Sequence, residues 1–109
     1  MVTKESKVTE KDKQLRDYEL VVIIDPEVTE ESLASVLDKM TRFITQRGGA
    51  MLKVDRWGRR KLAYPIKHHR EGDYVVAQFE MEPGKTGELE ASLTLADEFL
   101  RHLLVRMSV

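Results

Sequence analysis

The first sustained apolar signal along the chain is Tyr18-Glu19-Leu20-Val21-Val22-Ile23-Ile24. It is rich in β-branched residues and stops at Asp25-Pro26, so it reads as a strand. Near-continuous hydrophobicity suits a central strand with both faces at least partly covered. Tyr18, Leu20, Val22 and Ile24 share the face expected to point into the core, and Val21 and Ile23 the other. Beyond the break the period becomes helical. Thr29 is the expected N-cap, with Glu30 and Glu31 at the positive end of the helix. Leu33, Val36, Leu37, Met40, Phe43 and Ile44 form one apolar stripe, with Lys39, Arg42 and Gln46 off it. Gly48-Gly49 closes the helix as a left-handed cap would.

Ala50 to Asp55 then alternates, with Leu52 and Val54 opposite Met51 and Lys53. Gly58 interrupts the alternation and predicts a bulge, after which Leu62, Tyr64 and Ile66 resume it. Tyr64 is expected to be semi-buried in the sheet. Pro65 cannot donate to a ladder, which makes this an edge strand. His68 to Asp73, containing Gly72, predicts a hairpin turn, and Tyr74 to Met81 a third strand. Its core face is Val75, Ala77, Phe79 and Met81, with Gln78 and Glu80 opposite. Pro83-Gly84 breaks the chain before a second helix carrying Leu89, Leu93 and Ala96. Phe99 to Met107 is the last strand. Strand, helix, strand, strand, helix, strand is the split βαβ, ferredoxin-like α+β order. It implies a four-stranded antiparallel sheet with two helices on one face. The first and third strands would be central, and the Pro-bearing second strand an edge.

Composition narrows the class. With 109 residues, 41% hydrophobic and 34% charged, the chain suits one globular domain, placed at residues 16–109. Residues 1–15 are expected to be a flexible charged extension. Met1 to Gln14 holds four Lys against three acids and too little apolar surface to offset ordering entropy. There is no cysteine, which excludes disulfides and thiolate catalysis. No apolar run reaches the ~20 residues of a membrane span, so a soluble, cytoplasmic protein with no membrane partner is expected.

Charge adds the one functional signal. Arg56 to Arg70 contains six Lys/Arg (Arg56, Arg59, Arg60, Lys61, Lys67, Arg70) and no acid. The whole chain has 18 basic and 19 acidic residues, so the remainder carries 12 against 19, a net of −7. A basic segment on an acidic body fits a polyanion, and Trp57 and Tyr64 within it can stack on bases. The same charges would also keep an edge strand from pairing with another chain.

Catalytic chemistry finds no footing. Gly84-Lys85-Thr86 resembles the end of a phosphate-binding loop, but Phe79 stands where its first glycine is required. His68 and His69 are neighbours in a turn with no further ligand in view, and His102 is remote, so no metal or other cofactor is expected. No nucleophile has an activating context. Small ferredoxin-like acylphosphatases share the element order, and Arg16 or Arg59 could serve such a reaction. The turn after the first strand is Asp25-Pro26-Glu27, however, which removes an amide and adds two negative charges where phosphate would bind.

Tyr18-Glu19-Leu20, the block Trp57-Gly58-Arg59-Arg60-Lys61-Leu62-Ala63-Tyr64-Pro65-Ile66, and Gly72-x-Tyr74 leading into Gln78-Phe79-Glu80-Met81 carry a specific resemblance. So does Leu100-Arg101-His102-Leu103-Leu104-Val105-Arg106. Together they resemble the family of protein six of the bacterial small ribosomal subunit, over roughly Arg16 to Arg106. The resemblance implies a non-enzymatic, ferredoxin-like protein. It would bind the central region of small-subunit ribosomal RNA as a heterodimer with protein eighteen of the subunit, supporting assembly and translation. The first fifteen or so residues precede the usual start of the family, and the acidic tail of some members is absent. The expected RNA or partner contacts are Arg16, Arg56, Trp57, Arg59, Arg60, Lys61, Lys67, His68, His69, Arg70, Arg101 and Arg106. The backbone edge from Lys53 to Ala63 and the sheet face with Val21, Ile23, Tyr74 and Val76 are further contact surfaces. The competing reading is a ferredoxin-like regulatory domain that forms homodimers through its sheet.

Overall fold

β1 (Arg16–Ile24) and β3 (His69–Met81) pair antiparallel in the middle of a four-stranded sheet, with β2 (Ala50–Ile66) and β4 (Phe99–Arg106) outside them. This computed structural model describes residues 14–107, so the predicted extension lies almost wholly outside the described residues. The sheet order is β2-β3-β1-β4, the arrangement expected from the sequence, with all neighbours antiparallel. Helix α1 (Glu30–Thr45) joins β1 to β2; helix α2 (Thr86–Leu95), entered through a short 3-10 turn, joins β3 to β4.

The core forms where the two periodicities meet. Leu20, Val22 and Ile24 of β1 and Val75, Ala77, Phe79 and Met81 of β3 face Leu33, Val36, Met40 and Ile44 of α1 and Leu89 and Leu93 of α2. Tyr18 and Phe79 stack with ring centroids 5.7 Å apart. Burying each large apolar side chain of this set contributes about 1.5–3 kcal/mol. Thr29 caps α1 by accepting the Ser32 amide at 3.2 Å, and Gly48, at φ +79°, turns the chain out of it.

Three features depart from the sequence reading. The hairpin turn is the pair Lys67-His68, and His69 to Asp73 already belongs to β3. Both turn residues have positive φ (50° and 72°), the backbone of a two-residue hairpin usually given to Asn-Gly. Gly72 is therefore not a turn glycine: it is buried, and a Cβ there would collide with Ile23 Cγ2. In β2, register shifts near Leu52 and Trp57 break simple alternation, the second beside Gly58 at φ +88° as the sequence predicts. Third, the sheet face away from the helices is better covered than expected. Ile23 and Val76 are buried and Val21 and Tyr74 half-buried, with Arg101 and Leu103 of β4 beside Val21, Ile23 and Tyr74.

A basic hairpin arm as the candidate nucleic-acid interface

β2 and β3 continue past the body as a hairpin arm. Arg59 stands opposite Asp73, Arg60 opposite Gly72 and Lys61 opposite Glu71, and the ladder resumes only at Ile66 opposite His69. Between these pairs Leu62 to Pro65 lie on one strand against Arg70 alone, so β2 makes an excursion. Pro65, which has no amide to give, sits inside it. The excursion carries Tyr64 across the open sheet face to the opposite edge strand. There Arg101 donates to its hydroxyl, with the guanidinium carbon 5.8 Å from the ring centre. Tyr64 is thus 55% exposed, not semi-buried. Its interaction is polar and lies outside the core, a pairing that strand alternation cannot signal.

The basic residues separate into two groups by what they touch. Arg56 faces the helix side and makes a two-pronged contact with Glu30 in the first turn of α1, one prong at 3.1 Å. That pair holds the Glu30 carboxyl below its ordinary range, chiefly through the hydrogen bond from Arg56. Arg59 donates to the Pro26 carbonyl at 3.1 Å and to the Asp73 carboxylate at 3.4 Å, with Glu71 3.9 Å away. Asp73 is 4% exposed, the one buried charged side chain among the described residues. These two arginines fasten β2 to the β1–α1 turn and to α1.

Arg60, Lys61, Lys67 and Arg70 are exposed and form no ion pair among the described residues. Arg60 lies over Trp57, 5.3 Å from the ring centre, and Trp57 is itself 53% exposed. The result is an arm with free cations and a wet aromatic plate. His68 is exposed in the turn beside Lys67. His69 turns toward the body, its Nε2 3.6 Å from Asp25 Oδ1. Of the strand-end arginines, Arg101 joins the arm through Tyr64. Arg16 and Arg106 lie at the other end of the sheet, opposite Met81 and Tyr18. Eight residue steps along β1 carry the chain from Arg16 to Ile24, roughly 26 Å at strand rise, so one compact ligand cannot touch both groups.

A recess of about 780 Å³ runs along α1 past Val28, Lys39, Phe43 and Glu98. Its Lys39 and Glu98 are paired with each other at 3.2 Å. Nothing there resembles an acid–base pair poised on a substrate. Sequence reasoning missed Glu30, Asp73 and Pro26 as the anchors of the basic strand, because each lies far from its partner along the chain.

Comparison with known proteins agrees with this geometry. The family model described as "Ribosomal protein S6" matches residues 17–106. The chain is 38% identical over 93 residues to the small ribosomal subunit protein bS6 of Moorella thermoacetica, covering 85% of this chain and 95% of that one. To the protein of the same name in Paenarthrobacter aurescens it is 47% identical over 92 residues, 84% of this chain and 91% of the other. The crystal structure of 30S ribosomal protein S6 from Thermotoga maritima superposes with a TM-score of 0.81 at 36% identity, covering 86% of this chain and 89% of that one.

Proposed function

The chain belongs to the ribosomal protein S6 family, and from that premise we propose that it binds small-subunit ribosomal RNA together with protein eighteen of that subunit. In this reading residues 16–109 are the binding domain and the protein is a structural component without catalysis. The observation that carries it is the division of the basic strand. Arg56 and Arg59 are consumed by carboxylates of the fold, whereas Arg60, Lys61, Lys67 and Arg70 have no ion-pair partner among the described residues. Free cations on a protruding arm gain energy by releasing counterions from phosphates, with Trp57 available to stack on an unpaired base.

Protein eighteen is assigned to the outer edge of β2 and the exposed apolar groups around it. β2 ends the sheet, so one row of its backbone groups lacks a strand partner among the described residues. Leu52, Val54 and Trp57 along it are 55%, 40% and 53% exposed, which suits a partner adding to the edge. Among the described residues no helix is long and apolar enough to cross a membrane. Sedimenting the purified chain with small ribosomal subunits, with and without protein eighteen, tests the reading. Co-sedimentation that needs the partner and fails at high salt supports it; a free homodimer that never joins subunits refutes it.

A further inference from the structure

The fold supplies His69 with the ligand neighbours that its sequence context lacked. We propose that Asp25, Glu27 and His69 form a binding site for one zinc-class divalent cation, joining the β1–α1 turn to the start of β3. One ligand atom from each residue lies within 4.8 Å of the others. Asp25 Oδ1 is held in place by the Glu27 amide, which donates to it at 2.8 Å.

The distance between His69 and Asp25 is the informative one. His69 Nε2 stands 3.6 Å from Asp25 Oδ1, longer than the 2.7–3.2 Å or so of an ordinary N–H···O hydrogen bond. Two ligands on a tetrahedral zinc, each about 2.0–2.1 Å from the metal, sit about 3.4 Å apart. The pair is therefore spaced for a shared cation better than for a shared proton. His102 and Glu90 provide the internal contrast, closing to 3.0 Å as a normal hydrogen-bonded pair. Glu27 is exposed, so its carboxylate can rotate in as third ligand and leave the fourth position to water.

One imidazole and two carboxylates suit zinc better than magnesium or calcium, which prefer oxygen alone. Arg59, which reaches the intervening Pro26 carbonyl, spends its guanidinium there and on Asp73. A bound ion would clamp the tip of the hairpin arm, beside the Lys67-His68 turn, to the β1–α1 turn and limit the directions in which Lys67 and Arg70 project. The site stands whether or not the arm binds RNA.

Isothermal titration of the full chain with zinc chloride, near pH 7.5 where imidazole is mostly neutral, tests the proposal. One zinc per chain is expected, bound at least about tenfold more weakly by His69→Gln, the minimum known for losing even an outer-shell partner. Glu27→Gln should weaken binding too, while His68→Gln and His102→Gln leave it unchanged. Circular dichroism confirms that the variants fold. In the wild type, zinc should move the His69 ring resonances and not those of His102. No uptake at one equivalent, uptake undiminished in His69→Gln, or unmoved His69 resonances would each overturn the site.

Discussion

Arg59 and Asp73 face each other across the β2–β3 ladder, and the arginine reaches the buried carboxylate at 3.4 Å. Asp73 is nearly closed off from water, and the Arg59 guanidinium is the side-chain donor that meets it there. Truncating Arg59 to Ala should strand it and also release the Pro26 carbonyl. The expected cost is about 2 kcal/mol, the penalty of a buried group left without its partner. Urea unfolding of Arg59→Ala checks this, and a midpoint equal to wild type would remove Arg59 from the structural group.

Arg60 and Lys61 should behave in the opposite way. Neither pairs with a carboxylate among the described residues, and exposed substitutions away from anchoring contacts usually stay within about 0.5 kcal/mol. Arg60→Ala with Lys61→Ala should therefore leave urea unfolding nearly unchanged while weakening association with ribosomal RNA and protein eighteen. Loss of stability together with binding would assign these residues to the fold.

Gly72 provides a test that involves no charge. A methyl group at this position meets Ile23 Cγ2, at a point where the central strands and the arm close together. Gly72→Ala should destabilise by roughly 1–3 kcal/mol, as overpacking does. Gly72→Ala should cost less in a chain that already carries Ile23→Ala than in the wild type, because that truncation removes the Cγ2 methyl the new Cβ meets. Thermal melts of the single and double variants decide it.

Acid should loosen the contacts of α1. Glu30 is held below its ordinary value of 4.5 chiefly by the hydrogen bond from Arg56. Glu98 is held below the same value chiefly by a backbone hydrogen bond, then by Lys39, with burial opposing both. A depressed folded-state pKa means a contribution fully present above the unfolded value and lost as pH falls through the folded one. Stability should therefore decline below about pH 4.5, and Glu98→Gln should flatten that decline. An unchanged slope in Glu98→Gln from pH 5 to 3 would show that its carboxylate contributes nothing there.

What the chain order revealed, and what it hid, follows from the range of the forces involved. Tyr18, Leu20, Val22 and Ile24, and the α1 stripe from Leu33 to Ile44, enter the core as their spacing predicts, since periodicity is local. The central place of β1 and the edge place of β2 followed from hydrophobicity and from Pro65. Local rules failed at Gly72, where a glycine signal for a turn proved to be one for close packing, and the turn fell on Lys67-His68. Tyr64 failed likewise, since its partner Arg101 is on the far edge strand. The basic segment was visible as charge. Its division into anchoring and free residues was not, because Glu30, Asp73 and Pro26 reach it only through the fold.

The proposed function turns on phosphate contact by Arg60, Lys61, Lys67 and Arg70, the arm's cations without an ion-pair partner among the described residues. The direct measurement is the affinity of the chain with protein eighteen for the central-region RNA across a salt series. Four phosphate contacts predict a fall of roughly 50- to 150-fold between about 50 and 200 mM monovalent salt. The chain with Arg60, Lys61, Lys67 and Arg70 all changed to Ala should bind more weakly and show a nearly flat response from this protein's share. A wild-type salt response equal to that of the substituted chain would contradict the account.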